Sequence, residues 1–378
     1  RLSAVEVEVA FGTADAAVFP CWVNGGRLWS LVLDAEKYWE DLVAHGIQPT
    51  PANSVEHPFV KLSVCSPWEC AEEAQLVDIL HLVLKASLFE PALPIQPCHI
   101  QLDELSHWSR FPYDFVVAGV DKCGTTSLRM NLGKHPDIKF TASEDKKIFE
   151  DALFTWSSTA LMALPRKAVV ERRAAEAEAL RQGAVVGGGA VGVYNAIIFR
   201  EPFARQALSR MPRMKVIMAV CSPVRRFFSL VPEEEFQDSN SAAARSALAR
   251  GVEDVRVSAD LEEMRRLFDG RLFAVPQGAL DDERVYDQMA HFLGLAPFSP
   301  GTDFGRFHVS GRSQRSLACR NASVARWVQR RLAGDTDIMK AMVQDARMTV
   351  PLSMWHPQAH CFGGEPAAAS CASRTTQC

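Results

Sequence analysis

The second part of the sequence alternates short apolar runs with stretches of helical spacing, and this alternation constrains the fold more than any other feature. Strands buried on both faces of a parallel sheet have continuous apolar sequences. The runs with this character are 114–120, 190–194, 214–220 and 271–275. The stretches with helical spacing between or after them are 127–135, 167–182, 201–210, 223–230 and 281–293. The sequence therefore predicts an α/β domain over residues 111–350, a three-layer sandwich whose central parallel sheet is covered by helices.

Residues 1–110 follow a different pattern and predict a separate N-terminal extension of mixed α+β structure. Apolar and polar residues alternate over 5–11, which is the period of a strand, whereas 34–44 and 72–89 have helical spacing. We find no catalytic motif in this extension, and its role stays open. We interpret its Trp and Cys residues as packing residues rather than as part of a binding surface. These residues are Cys21, Trp22, Trp29, Trp68 and Cys70. The tail 363–378, rich in Gly, Ala, Ser and Thr, is predicted to be disordered.

Composition excludes several classes of protein. The chain has 41 Lys and Arg against 45 Asp and Glu, a net charge of −4, which argues against a nucleic-acid-binding coat. No run of about 18 uncharged apolar residues is present, so we expect no membrane span, although an anchor could precede Arg1. The ten cysteines lack the paired spacing of metal sites, and we expect scattered thiols and no bound metal.

The turn from Gly119 to Leu128, which reads Gly-Val-Asp-Lys-Cys-Gly-Thr-Thr-Ser-Leu, carries the most chemical information. It lies between a predicted buried strand and a predicted helix. Backbone N–H groups converge at such a turn, and the positive end of the helix dipole faces it, so the turn is suited to bind an anion. Thr125 and Thr126 add hydroxyl donors, and Lys122 adds a mobile cation.

The order of residues in this turn distinguishes between two kinds of anion chemistry. A nucleotide-hydrolase loop has four residues between its glycines and a Lys directly after the second one. Here Lys122 precedes Gly124, and Thr125 takes the place of that Lys. Magnesium-dependent phosphoryl transfer by a kinase or hydrolase is therefore the weaker of the two interpretations.

Three segments resemble the sulfotransferases that use 3′-phosphoadenosine-5′-phosphosulfate (PAPS), particularly their carbohydrate branch. Lys-x-Gly-Thr-Thr-Ser-Leu, from Lys122, is similar to the family's 5′-phosphosulfate-binding loop. Residues 214–229 are similar to its 3′-phosphate element, and 271–298 to a later strand and helix. The resemblance extends over about 113–342 and implies the P-loop-NTPase-like sulfotransferase fold. It also implies sulfuryl transfer from PAPS, without a metal, to a hydroxyl or amine of a glycan or another acceptor.

The resemblance assigns roles to individual residues. Lys122 would hold the phosphosulfate and steady the leaving phosphate, and Ser229 would bind the 3′-phosphate. The residues expected to surround the 5′-phosphate are Lys122, Cys123, Gly124, Thr125, Thr126 and Ser127. The family's 3′-phosphate Arg falls on Cys221 and its Asp on Ser222. The candidate replacements for that Arg are Arg225, Arg226, Arg312 and Arg315. The loss of this Arg leaves a third interpretation open, a binding protein that has lost activity.

The catalytic base is predicted in the segment 143–149, which takes the place of a Glu-containing segment of the family. Alignment on Phe149 selects Asp145, whereas alignment by acidic side chain selects Glu144. We favour Glu144 because its side chain reaches further from the backbone. Relatives of this branch commonly lie in the Golgi lumen, which the resemblance implies here, with the cytoplasm as the alternative. Neither the acceptor nor the oligomeric state follows from the sequence.

Overall fold

A computed structural model of the chain describes residues 27–33, 35–47, 61–66, 76–78, 81, 93–141, 165–184, 189–231, 242–305, 307 and 322–345. These residues fall into two compact units. The first unit comprises Arg1–Phe111 with Lys147–Ala174, and the second Pro112–Lys146 with Ala175–Cys378. The predicted strand at 5–11 and the predicted disordered tail lie outside the described residues.

The first unit contains a three-stranded antiparallel sheet and a helix, which confirms the mixed α+β prediction. The strands β1 (Arg27–Leu33), β2 (Lys61–Ser66) and β3 (Ile100–Glu104) lie in the order β2-β1-β3. Helix α1 (Ala35–Ala44) follows β1 directly. One apolar cluster forms the core of this unit: Trp29, Leu31, Tyr38, Leu42, Leu76, Val77 and Ile95. Trp29 is thus a packing residue; the other Trp and Cys residues singled out in this region lie outside the described residues.

The second unit is built on a five-stranded parallel sheet, which confirms the predicted α/β class. Its strands are β4 (Phe115–Gly119), β5 (Ile138–Phe140), β6 (Ala190–Tyr194), β7 (Lys215–Val220) and β8 (Leu272–Pro276), in the order β5-β6-β4-β7-β8. β4 is central and buried along its whole length. Its continuous apolar sequence is explained by burial on both faces of the sheet.

Helices occupy the connections of this sheet and the region after it. Their bounds are α2 (Thr125–Leu132), α3 (Lys167–Gln182), α4 (Pro202–Ser209), α5 (Pro223–Leu230), α6 (Ala242–Val255), α7 (Ser258–Leu267), α8 (Glu283–Leu293), α9 (Ala322–Arg331) and α10 (Ala333–Asp345). α3 begins in the first unit and ends in the second. Among the described residues, no helix combines the length and the apolar character that a membrane crossing needs.

The connections place the turn after β4 at a favourable position for ligand binding. From β4 the chain goes to β5, towards one edge of the sheet, whereas from β6 it crosses to β7, towards the other edge. Because such crossovers are right-handed, α2 and α4 lie on opposite faces, which gives the three layers. In open α/β sheets, ligands bind beyond the carboxyl ends of the strands where the direction of connection reverses. The turn that follows β4 lies at this point.

We expect the N-cap of α8 to contribute to stability in a pH-dependent way. The Asp282 carboxylate accepts the backbone N–H of Arg284 at 3.0 Å, so Asp282→Ala should lower the free energy of unfolding by about 1 kcal/mol. The hydrogen bond from the Arg284 side chain lowers the pKa of Asp282. A lowered folded pKa means that this stabilisation is present above the unfolded pKa, about 3.9, and is lost as the pH falls through the folded value.

Denaturant unfolding of the wild type and Asp282→Ala at pH 7 and pH 3 checks this prediction. The difference between the two proteins should shrink in acid. The control Asp282→Asn retains a capping oxygen that does not titrate, and its stability relative to Asp282→Ala should not depend on pH in this range. An equal difference at both pH values would contradict the assignment.

Candidate active site

The turn between β4 and α2 has a backbone shape that depends on glycine. Gly124 has φ +94°, and a Cβ at this position would lie 2.4 Å from Leu280 Cδ1. The positive φ strains any residue with a side chain, and a Cβ would also require the Leu280 side chain to shift. Because Gly124 is the N-cap, α2 begins at Thr125, two residues before the predicted start.

Lys122 lies at the top of this turn and is exposed. Its φ is +62°, in the left-handed region that L-residues with a side chain adopt at a cost. Such conformations persist where the surrounding structure holds them, and they concentrate at functional sites. The residues on either side of Lys122 provide this restraint.

The first restraint is an ion pair on the N-terminal side of Lys122. Asp121 Oδ1 accepts from Arg226 at 2.5 Å, and the Asp121 carbonyl accepts from the same guanidinium at 3.1 Å. Arg226 lies on α5, is fully buried and also donates to Val255 O at 2.6 Å. Burial lowers the pKa of Arg226, and the charge of Asp121 opposes this effect. Arg226 therefore holds the loop in place. The sequence had made it a candidate to replace the family's 3′-phosphate Arg, but its hydrogen bonds to the loop rule this out.

The second restraint is a disulfide on the C-terminal side of Lys122. Cys123 is bonded to Cys221, which directly follows β7, and both residues are buried. The prediction of scattered thiols was wrong for this pair. Cys123 was also expected to contact the phosphate, but its sulfur is in the disulfide and its N–H donates to Val120 O at 3.1 Å. One signal could have revealed the pair, since each cysteine lies beyond the carboxyl end of a neighbouring parallel strand.

The N-terminus of α2 supplies the donors of the site. Leu128 N–H makes the first intrahelical bond, to Gly124 O at 3.0 Å. The preceding N–H groups, those of residues 124–127, therefore have no intrahelical acceptor and carry the positive end of the helix dipole.

Of the three hydroxyl groups at this helix end, two share one partner and the third has another. Ser127 Oγ donates to Phe307 O at 3.1 Å and accepts from Phe307 N at 2.9 Å, so it joins α2 to Phe307. Its hydroxyl is occupied, contrary to the expected phosphate contact, and its N–H faces the helix end. The Thr125 and Thr126 hydroxyls both lie 3.3 Å from the hydroxyl of Tyr194, at the end of β6. Tyr194 was not predicted as a site residue, because it lies 69 and 68 residues from Thr125 and Thr126 in the sequence.

The structure describes only two of the six remaining predicted site residues. Ser229 is half-buried in the last turn of α5, and Arg225 is half-buried on the same helix. The four others lie outside the described residues and stay predictions: Glu144, Asp145, Arg312 and Arg315.

No family model matches the chain, and no curated protein matches its sequence. Solved structures with similar folds include a sulfotransferase from Alicyclobacillus acidocaldarius, 19% identical over 61% of this chain and 96% of that one, with a TM-score of 0.39. A sulfotransferase domain from the curacin biosynthetic pathway is 15% identical over 60% and 99%, with a TM-score of 0.33. Sulfotransferase STF9 from Mycobacterium avium is 13% identical over 60% and 76%, with a TM-score of 0.35. Each of these three TM-scores is below 0.5.

A cluster in the first unit has the composition of a metal site but the hydrogen bonding of a structural one. Ligand atoms of Asp41, Cys98 and His99 lie within 4.8 Å of one another. His99 Nδ1 accepts the Gln96 N–H at 3.0 Å, so the ring proton of the neutral imidazole lies on Nε2, 2.7 Å from Asp41 Oδ2. A metal could bind Nε2 only in place of this proton. The hydrogen bond between Asp41 and His99 instead links α1 to the turn before β3, which is a structural role.

The disulfide should stabilise the second unit substantially. Replacement of both Cys123 and Cys221 by Ser removes a cross-link between residues 98 apart, and we expect a loss of about 2–4 kcal/mol in the free energy of unfolding. Thermal melts with and without dithiothreitol check this. The wild type should melt at a lower temperature in reductant, and the double variant should respond less than the wild type. The control is Cys98→Ser, which removes an exposed free thiol and should behave as the wild type. A wild-type melt unaffected by full reduction would contradict the prediction.

Proposed function

We propose that this chain is a sulfotransferase that moves a sulfuryl group from PAPS to a hydroxyl or amine of an acceptor carbohydrate. The observation that carries the proposal is the turn after β4. It holds an exposed lysine in a left-handed conformation beside a helix N-terminus, at the edge where parallel strands end.

The donor groups of this turn fit the phosphosulfate of PAPS. The N–H groups of residues 124–127 and the Thr126 hydroxyl would surround the 5′-phosphate, and the absence of a Cβ at Gly124 gives the backbone its curve. Lys122 supplies a full positive charge. Each charge-assisted hydrogen bond of this kind contributes about 1.5–3 kcal/mol.

The transfer requires that the donor and the acceptor are aligned and that the charge on the leaving phosphate is neutralised. The bond between sulfur and the bridging oxygen of the donor breaks, and a bond forms between sulfur and the acceptor atom. The electron pair stays with the leaving phosphate, where Lys122 would neutralise it. The acceptor's proton would pass to Glu144 or Asp145, which are proposed as the base on sequence grounds alone.

The acidic residues beside the turn do not favour the alternative of magnesium-dependent phosphoryl transfer. Asp121, in the turn, is paired with Arg226. The residues that follow the neighbouring strands are Asn195 after β6, and Cys221 and Ser222 after β7, and none of them is a carboxylate. A kinase or hydrolase is tested as an outcome of the experiment below.

One observation favours a second candidate, a PAPS-binding protein without activity. The position of the family's 3′-phosphate Arg is occupied by a disulfide-bonded cysteine, and Arg226 is committed to Asp121. Arg225, Arg312 and Arg315 are the proposed replacements, together with Ser229.

The disulfide between Cys123 and Cys221 supports a proposed oxidising compartment such as the Golgi lumen, because disulfides persist there.

Mass spectrometry decides between these functions. The protein is incubated with PAPS and with glycan, lipid and phenol acceptors in turn, and a product heavier by one sulfate is expected with a glycan. Reactions without PAPS and with Lys122→Ala are the controls. Absence of any sulfated product, together with calorimetric binding of 3′-phosphoadenosine-5′-phosphate, would indicate the inactive binding protein. Magnesium-dependent turnover of ATP would indicate the kinase or hydrolase.

A further inference from the structure

The hydroxyl of Tyr194 is placed to organise the threonines of the anion-binding turn. It lies 3.3 Å from Thr125 Oγ1 and 3.3 Å from Thr126 Oγ1, at the carboxyl end of β6. The Arg129 guanidinium of α2 lies over the ring, 5.4 Å from its centre, and restrains it. Arg129 also lies 5.9 Å from the ring of Phe140, at the end of β5. Tyr194 is thus fixed at both its ring and its hydroxyl.

The number of hydrogens in this group limits how its three hydroxyls can be arranged. A tyrosine hydroxyl has one hydrogen to donate and can accept others. Thr125 is 4% exposed, and a buried hydroxyl is almost always hydrogen-bonded. Tyr194 is the partner of the Thr125 hydroxyl, and either hydroxyl can be the donor. An anion at the turn accepts the hydrogen of Thr126, and it therefore favours the arrangement in which Thr125 donates to Tyr194 and the hydrogen of Tyr194 points to Thr126.

This arrangement leaves one hydroxyl hydrogen directed outwards. Thr126 accepts the hydrogen of Tyr194, so its own hydroxyl hydrogen has no acceptor among these three hydroxyl groups. Thr126 is half-exposed, in the first turn of α2 where the helix N–H groups are also open. Its hydroxyl can therefore donate to an anion bound at the turn.

We propose that Tyr194 is a positioning residue, whose hydroxyl orients the Thr126 hydroxyl as a hydrogen-bond donor to the phosphate of the nucleotide donor. This inference rests on the proposed function and adds to it a residue outside the turn. Tyr194 acts through Thr126, and its loss affects donor binding and leaves acceptor binding unchanged.

The test measures binding of 3′-phosphoadenosine-5′-phosphate by calorimetry in the full chain. Thr126→Ala should weaken binding by about 10-fold, since a hydrogen bond to a charged group is lost. Tyr194→Phe should weaken it by about 5-fold, because the threonine hydroxyl is kept but is no longer oriented. The double variant should bind no more weakly than Thr126→Ala alone, since the two residues act through one contact. In transfer assays, the KM for PAPS should rise in Tyr194→Phe, and the KM for the acceptor should not.

Two control variants separate orientation from general damage. Thr126→Ser keeps the hydroxyl and should bind as the wild type. Tyr38→Phe removes a tyrosine hydroxyl that is bonded to Leu93 in the first unit, and it should leave binding unchanged. Melting temperatures of all variants show whether the fold is retained.

The outcomes for the inference and for the proposed function are distinct. Losses that add in the double variant, or a Tyr194→Phe that binds as the wild type, would overturn the role of Tyr194 while PAPS binding stands. If Tyr194→Phe does not fold, Thr126→Ala decides alone, and full affinity in that variant would overturn the inference. A wild type that binds no nucleotide would instead refute the proposed function.

Discussion

Lys122→Ala should reduce sulfuryl transfer by about 10²–10³-fold, the usual cost of removing a group that stabilises charge in a transition state. The side chain is exposed, so its loss costs no packing. Alanine at φ +62° is under the same backbone restraint as lysine, and the shape of the turn should be retained. We therefore expect the melting temperature to stay within a few degrees of the wild type. Steady-state transfer rates and thermal melts of the same preparations check both parts.

A second substitution at this position separates catalysis from backbone strain. Lys122→Gly also removes the ammonium group, but glycine adopts a positive φ without cost. It should lose transfer as Lys122→Ala does and should melt at the same temperature or higher. The matched control is Lys37→Ala, at an exposed lysine on α1, and it should leave transfer unchanged. Undiminished transfer in Lys122→Ala would remove this residue from the mechanism.

Asp121→Ala should be the most destabilising single change in the turn. It leaves the fully buried Arg226 without its carboxylate, and an unpaired buried charge costs about 3 kcal/mol or more. Chemical denaturation measures the free energy of unfolding. The same variant should also lose donor affinity, because Asp121 directly precedes Lys122 and restrains it.

A double-variant cycle shows whether the ion pair is the cause. If Arg226 is also replaced by Met, no buried charge is left unpaired, and Asp121→Ala with Arg226→Met should be more stable than Asp121→Ala alone. Asp269→Ala, at an exposed aspartate after α7, is the control and should change stability by less than about 0.5 kcal/mol. An Asp121→Ala variant as stable as the wild type would show that Arg226 does not depend on this carboxylate.

The ion pair and the disulfide together explain how the turn keeps its conformation. Both restraints reach Lys122 from the segment 221–226, at the end of β7 and the start of α5. By resemblance, the same segment was expected to bind the 3′-phosphate. In this chain, two of its residues, Cys221 and Arg226, instead hold the turn around Lys122.

Most elements of the parallel sheet could be predicted from the sequence because they depend on a local pattern. The apolar runs at 190–194 and 214–220 coincide with β6 and β7 to within a residue, and the helix at 167–182 has the predicted bounds. The three-residue strand β5 and the helices between 242 and 267 were not predicted. β5 is too short to show a period, and the helices lie in a stretch where the sequence offered no motif to anchor a prediction.

The sequence by itself determined the α/β class and singled out Lys122, Gly124 and the threonines, because strand period, helix period and a strand–turn–helix motif are local properties of the chain. Only the tertiary structure decided which residues act on that turn. Cys221, Arg226 and Tyr194 are 68 to 105 residues away from their partners, and they meet them because β6 and β7 both pair with β4. Contacts of this kind follow from the order of strands in a sheet, which no local pattern encodes.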